Sequence, residues 1–323
     1  MILVIGEALI DLIGEEGSGG QYTAVVGGAN ANVALALAVR GEPQRFLGRI
    51  SVDGFGKQIH DHLASNGVDL SLSIEAQEQT TLAVATIDAQ GVASYAFYTK
   101  ETADWGWTPS ELPSESKVAD LGAKAIQYGC LGMAIGPGNA VIKKWLRGFF
   151  DADSITLSHD LNIRPALGFD RQDELQRVTA LNAQSHIIKA SDADIEWLYG
   201  FEPGANLDAV AADWSRGRLL VVTKGGDGVS LYRDGTRLDV PGEKVVLADT
   251  VGAGDTFMAN FLGELRALDA LGDKPLSRLS RLGDAELGEA ARVANVAASI
   301  VCERVGCQPP SYEETTRRSQ GSR

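Results

Sequence analysis

Short, continuous apolar runs recur along the chain at ILVI (2–5), RFLGRI (45–50), KAIQYG (124–129), SITLSH (154–159), SHIIKA (185–190) and RLLVVT (218–223). Runs that lack a polar alternation belong to strands covered on both faces. Between them the apolar positions take helical spacing, in NANVALALAVR (30–40), DGFGKQIHDHLASNG (53–67), GNAVIKKWLRGFF (138–150) and DELQRVTALNA (173–183). Asp53 is placed to cap one of these helices, and Gly41 and Gly67 to close two. Strand and helix in strict turn predict an α/β fold: a doubly wound, mostly parallel sheet flanked by helices.

Two segments break the rhythm. TTLAVATIDAQGVASYAFYT (80–99) is a pair of β-rich runs around DAQG, a hairpin signal. DLIGEEGSGGQYTAVVGG (11–28) reads as strand, turn, strand. Pairing of the two would make a small separate sheet, a β lid built from about 12–26 and 79–103 upon a single domain covering 1–323. The polar ending TTRRSQGSR is expected to be loose.

The 323 residues are 44% hydrophobic and 22% charged, which allows a sizeable core. A net charge of −14 argues against a nucleic-acid surface, because phosphate backbones need clustered Lys and Arg. The three cysteines, Cys130, Cys302 and Cys307, include no CxxC pair and suggest neither a disulfide framework nor a zinc site. His60 and His62 fall on a surface helix with no accompanying ligand set. The start, MILVIGEALIDL, lacks a basic leader and reads as a buried strand. No apolar run reaches 18 residues, so no membrane span is expected and the expected location is cytoplasmic.

Chemistry concentrates in DTVGAGDTFMANFLG (249–263). A helix start exposes free N–H groups and a partial positive charge. Gly252, Ala253 and Gly254 would let that backbone approach an anion closely. Asp255, in the first turn, could then take a proton from an attacking hydroxyl. Holding a phosphoryl group while activating its acceptor is phosphoryl transfer. An ordinary turn with an acidic helix start fits Gly-Ala-Gly-Asp equally well. The dinucleotide pattern GxGxxG fails at Phe257, and GxxxxGK[ST] is absent. A second stretch, GGANANVALALAVRG (27–41), places Gly27 and Gly28 before a helix, with Asn30 and Asn32 offering amide groups suited to neutral polyols. Its alternative is a tight turn with an Asn cap. Asp11, in an apolar setting, either receives two sugar hydroxyls or ends a strand in water.

Together these stretches resemble the ribokinase family of carbohydrate kinases over nearly the whole chain. The segment 27–41 is similar to that family's first signature and 249–263 to its second. DLNIRP (160–165), KASDADIEWLYG (189–200), VVTKGGDGVSLY (221–232) and VANVAASIVCERVGCQPP (293–310) agree in order. The resemblance implies Asp255 as catalytic base, Gly252, Ala253 and Gly254 as anion hole, and Asp11, Gly27, Gly28, Asn32 and Arg164 on the sugar side. It implies ATP contacts at Asn162, Ser191, Thr223, Gly225, Gly228 and Asn295. Ser191 and Asp194 stand where many relatives carry the Asn and Glu of an Asn-x-x-Glu motif, which leaves Asp194 either holding Mg²⁺ through water or capping a helix. Asp249 and the loop near Gly306 match the neighbourhood of a monovalent-cation (K⁺) site. Pro310 replaces a Ser found in some relatives there. Lys189 and Lys224 are further cations that would help attract ATP or else lie solvated at the surface.

FYTKETADWGWTPSELP (97–113), YGCLGMAIGPG (128–138) and DLNIRPALGF (160–169) are most similar to bacterial fructokinases. The resemblance then implies transfer from ATP to the 6-hydroxyl of fructose. The exposed edge of the lid leaves two alternatives open, a single chain or a homodimer that covers it. 2-Keto-3-deoxygluconate kinases share the last pattern but want an extra cation for the substrate carboxylate. Adenosine kinase wants an aromatic sandwich, in a chain only 7% aromatic. A non-catalytic sugar-binding regulator is disfavoured by the intact Asp255 and its glycine turn. An NAD-dependent oxidoreductase is disfavoured by the missing fingerprint.

Overall fold

In the computed structural model, residues 1–15, 19–87 and 93–321 are described. Fourteen strands occur there: β1 (Ile2–Ile5), β2 (Leu9–Glu15), β3 (Tyr22–Gly27), β4 (Gln44–Leu47), β5 (Arg49–Ser51), β6 (Ile74–Ala76), β7 (Leu82–Ile87), β8 (Ala93–Tyr98), β9 (Ala125–Gly129), β10 (Thr156–Asp160), β11 (Ile187–Ser191), β12 (Leu219–Thr223), β13 (Val229–Arg233) and β14 (Thr236–Val240). Eight form one sheet in the order β14-β13-β12-β11-β10-β9-β1-β4. Its members from β12 to β4 are parallel, and β13 and β14 add an antiparallel edge.

Both faces of this sheet are covered, as the unbroken apolar runs predict. Ile2, Val4 and Val221 pack with residues of the helices Ala29–Arg40, Ala253–Ala267 and Asp284–Cys302. Leu3, Ile5, Ile126 and Tyr128 pack on the other face with Ile142, Leu146 and Phe149 of the helix Gly138–Asp151. In the helix Ala253–Ala267, Phe257, Met258, Phe261, Leu262 and Leu265 are all buried. Each such side chain contributes roughly 1.5–3 kcal/mol of transfer free energy, so the start of this helix is rigidly placed. Asp53 caps the helix Gly54–Ser65 as expected, accepting from the Gly56 amide at 2.8 Å.

The two rhythm-breaking segments do pair. The smaller sheet runs β3-β2-β7-β8, with β2 and β7 parallel and the outer pairs antiparallel. Residues 16–18 and the whole DAQG turn, within 88–92, lie outside the described residues.

Two expectations need correction. RFLGRI is not one strand: it breaks at Gly48, with β4 in the large sheet and β5 paired to β6 in a separate two-stranded ladder. A Cβ at Gly48 would stand 2.2 Å from the Phe46 ring, so the chain bends where only glycine fits. The polar ending is not loose either, since Tyr312–Gly321 is a helix. Thr315 and Ser319, four residues apart, are buried. Arg318 pairs with Glu303 at 2.6 Å, Arg304 with Glu314, and the Arg40 guanidinium lies 4.5 Å over the Tyr312 ring. Among the described residues no helix is long and apolar enough to cross a membrane.

Candidate active site

Parallel strands end together, and ligands of open α/β sheets bind beyond those carboxyl ends. Here a cleft of about 510 Å³ opens at the ends of β9, β10 and β11, between the large sheet and the inner side of the small one. Its lining brings together Asp11, Gly28, Asn32, Asn162, Arg164, Gly252, Gly254 and Asp255. Most of the residues expected on the sugar and phosphoryl sides thus meet in one place.

Gly252 enters the helix Ala253–Ala267 in the left-handed conformation, φ 76°. A Cβ there would also strike Cys307 Sγ at 2.3 Å, so the turn needs glycine twice over. The Ala253 amide donates to the Thr250 carbonyl at 3.2 Å. No protein partner stands at the amides of Gly252, Gly254 or Asp255 among the described residues. Free donors with a helix dipole behind them suit an anion.

Asp255 is 7% exposed and its Oδ2 accepts from Asn32 Nδ2 at 2.9 Å. Burial pushes this carboxyl up to about 7, helped by the charge of Asp160; Asn32, Lys189 and Arg164 oppose the rise. A carboxylate titrating there is a competent proton acceptor near neutrality. Asp11 is likewise raised by burial, to about 6, against the pull of Arg164. A Cβ on Gly27 would lie 2.1 Å from Asp11 Oδ2, so that glycine makes room for the carboxylate. Asn30 turns away from the cleft, its Nδ2 donating to Glu7 Oε2 at 2.9 Å and to the Gly129 carbonyl at 3.2 Å.

Arg164 has no carboxylate within 4 Å among the described residues, although it lines the cleft. Lys189 differs sharply from the solvated reading. It is 4% exposed and pairs with Asp160 at 2.7 Å, immediately behind the glycine turn: a Cβ on Gly254 would stand 3.3 Å from its Nζ. Asp160 and the other nearby carboxylates hold its pKa above the usual lysine value despite burial. Lys224 is part-exposed and pairs with Asp239 at 3.3 Å.

Asn162 apart, the expected nucleotide residues form a second group farther along the same sheet edge, outside this cleft. Ser191 and Thr223 are register partners at the ends of β11 and β12, and Gly225 and Gly228 bound the turn that follows. Asn295 Nδ2 donates to the Pro241 carbonyl at 3.1 Å. Ser191 and Asp194 make a capping box, and the Asp194 oxygens accept from Ile163 and Ser191 amides, both at 2.8 Å. Asp249 accepts from the Val251 amide at 3.1 Å and the Gly306 amide at 2.8 Å, so the two expected cation-site segments do adjoin.

The family described as pfkB family carbohydrate kinase matches residues 1–315. The chain belongs to that family. The resemblance read from residues 27–41 and 249–263 is therefore borne out. This carbohydrate kinase is similar to a fructokinase of Rhizobium leguminosarum bv. trifolii, 34% identical over 285 residues, 86% of this chain and 84% of the relative. Fructokinase-1 of Oryza sativa subsp. japonica is 30% identical over 317 residues, 96% and 94% of the two chains. The fold of the present chain matches that of a Xylella fastidiosa fructokinase with bound ATP, with TM-score 0.87, 24% identity, and 99% and 98% of the chains covered. A Vibrio cholerae O395 fructokinase double mutant in fructose, ADP and potassium ion bound form gives TM-score 0.80 at 23% identity, over 98% and 97%.

Several residues of this kinase's cleft escaped the sequence reading. Glu7 is fully buried at the cleft floor. Tyr95 and Phe97, alternate residues of β8, stack at 6.1 Å and line the opposite wall. The period of two along that strand was a usable signal for a shared face. For Lys189, named in the sequence without its ion pair, the usable signal was its place in an apolar strand run, where a buried lysine needs a counter-charge.

Proposed function

We propose that this kinase is an ATP-dependent fructokinase, converting D-fructose and ATP to fructose 6-phosphate and ADP by direct in-line transfer. The reading is carried by one observation: the Asp255 carboxylate and the unpartnered amides of its own helix start face a single cleft. The named activity and ligands of the similar fructokinases support it.

In this mechanism the sugar lies under the small sheet as a lid, touching Asp11, Gly28 and Asn32, while Gly252 and Gly254 receive the migrating phosphoryl group. Asp255 takes the proton of the acceptor hydroxyl as its oxygen bonds to the γ-phosphorus. The bond from that phosphorus to the β-phosphate oxygen breaks, and ADP leaves with the electron pair. Arg164 and Lys189 offset the charge that spreads over the phosphoryl oxygens. ATP extends past Asn162 toward Ser191, Thr223, Gly225, Gly228 and Asn295. Among the described residues no three His, Cys, Asp or Glu gather to hold a metal. That suits Mg²⁺, which binds through substrate phosphates with few protein carboxylates; bound so, it neutralises phosphate charge. Asp194 stands nearest that role, with both oxygens also bonded to backbone, and Asp249 with the Gly306 loop is the candidate monovalent-cation site. Lid closure over the cleft excludes water from the acceptor's place.

A neutral sugar fits better than an acid sugar. Lys189 is matched by Asp160, which leaves Arg164 as the unpaired cation of the described lining, and the phosphoryl group needs it. A coupled ADP-release screen over fructose, ribose, 2-keto-3-deoxygluconate, tagatose and adenosine tests the assignment: fructose should lead, and a large preference for 2-keto-3-deoxygluconate would overturn the sugar while keeping the kinase. The acid limb of kcat/KM should have its midpoint near 7, because Asp255 must lose its proton to act. A rate profile from pH 3.5 to 9 checks this, and a midpoint near 4 would show that burial does not raise the Asp255 carboxyl.

A further inference from the structure

Four connections join the small sheet to the rest of the fold: residues 6–8 before β2, 28 after β3, 77–81 before β7 and 99–103 after β8. Three of them meet at Asp104, a residue of the 97–113 segment that the mechanism leaves unused. Its side chain is buried. Oδ1 accepts from the Ala8 amide at 2.9 Å, and Oδ2 accepts from the Thr81 hydroxyl at 2.5 Å. Thr81 Oγ1 lies 2.6 Å from Thr102 Oγ1, and the Thr102 hydroxyl reaches the carbonyl of Thr99, just past β8, at 3.2 Å.

Each hydroxyl carries one proton, so this chain runs in one of two directions. With Asp104 ionised, Thr102 donates to Thr81 and Thr81 donates to Asp104; the Thr99 carbonyl receives nothing from Thr102. With Asp104 protonated, Asp104 donates to Thr81, Thr81 to Thr102, and Thr102 to the Thr99 carbonyl. We propose that Asp104, Thr81 and Thr102 form a reversible latch at the root of the small sheet, one that fastens the exit of β8 when Asp104 holds a proton and so positions the sheet over the sugar. Asp104 is then a positioning residue that acts on the acceptor alcohol through the lid. This inference rests on the lid reading above.

The charged groups around the latch leave it free to titrate. Glu7 faces it from the connection before β2 and has no cation partner among the described residues; its oxygens accept from Asn30 Nδ2 and the Gly132 amide. Arg49 of β5 approaches from the other side, donating to the Ala103 carbonyl at 3.0 Å. Its charge is already met by Glu78 at 3.0 Å and Glu111 at 3.3 Å. Burial raises Asp104 to about 7; the Thr81 and Ala8 bonds oppose the rise and Glu7 adds to it. The direction of the chain therefore changes within the range where the enzyme is assayed.

Hydrogen–deuterium exchange on the ligand-free full chain, corrected for intrinsic rates, tests this from pH 6 to 8.5. Protection around 99–103 should fall about 2- to 10-fold as pH rises, the worth of one hydrogen bond. Asp104→Asn offers an amide donor to Thr81 and a carbonyl to Ala8, so protection around 99–103 should stay flat with pH. Thr102→Val should give the unfastened values at every pH, and Thr102→Ser should restore the pH response. The exchange readout needs no sugar, so a wrong substrate assignment leaves it interpretable. Equal pH responses in wild type and Asp104→Asn overturn the latch. If Asp104→Asn does not fold, a wild-type pH response in Thr102→Val overturns it instead.

Discussion

Asp255→Asn is expected to bind sugar and nucleotide and to transfer phosphate about 10²- to 10⁴-fold more slowly. The amide has the carboxylate's shape, and its oxygen can keep the bond from Asn32. It has no basic lone pair for the acceptor's proton. Calorimetric sugar binding beside a coupled rate assay separates the two effects, and retention of full turnover would reject the base. The same substitution should stabilise the protein at alkaline pH. Folding raises this carboxyl from its ordinary 3.8 to about 7, so the native state binds the proton more tightly than the unfolded chain. Wild-type stability therefore falls as pH rises across that window. The amide lacks that loss, so its Tm at pH 8 should exceed the wild type's, and the two should converge toward pH 4.

Lys189→Met should destabilise the fold by about 3–5 kcal/mol, since it strands a buried carboxylate. Asp160 is 4% exposed, its Oδ2 is bonded to Lys189, and its Oδ1 has no partner. Met keeps most of the volume and removes the charge. Adding Asp160→Asn to the same chain should recover most of the loss, because the amide needs no counter-ion. Denaturant titration of the two single variants and the double reads the coupling directly. A loss below about 1 kcal/mol would mean that solvent reaches the pair, as at exposed sites. Lys189 also holds down the Asp255 pKa, so the acid limb of any remaining activity should move upward.

Local geometry explains which parts of the molecule could be read from sequence. Gly252 and Asp255 were legible because a bare turn and a helix start are made by adjacent residues. Most of the large sheet was legible because strands buried on both faces carry unbroken apolar runs. Lys189 was misjudged because its partner Asp160 lies 29 residues away, on the neighbouring strand. The final helix was hidden by its composition: Thr315 and Ser319 are small polar residues that pack closely, and its ion pairs reach back to Glu303 and Arg304. RFLGRI misled because one glycine moves half of an apolar run into a different sheet. Asp104 carried no signal, since its meaning depends on Ala8, Thr81 and Thr102 meeting in space.

Asn32 and Asp255 touch across 223 residues of sequence. During synthesis the first of them leaves the ribosome long before the second exists. At about 5–20 residues per second, some 10 to 45 seconds separate them. The N-terminal helix can pack on β1 and β4 in that interval, but its side toward the helix Ala253–Ala267 stays uncovered. A nascent chain also has no means of splitting nucleotide before it is nearly finished, so unfinished copies consume nothing.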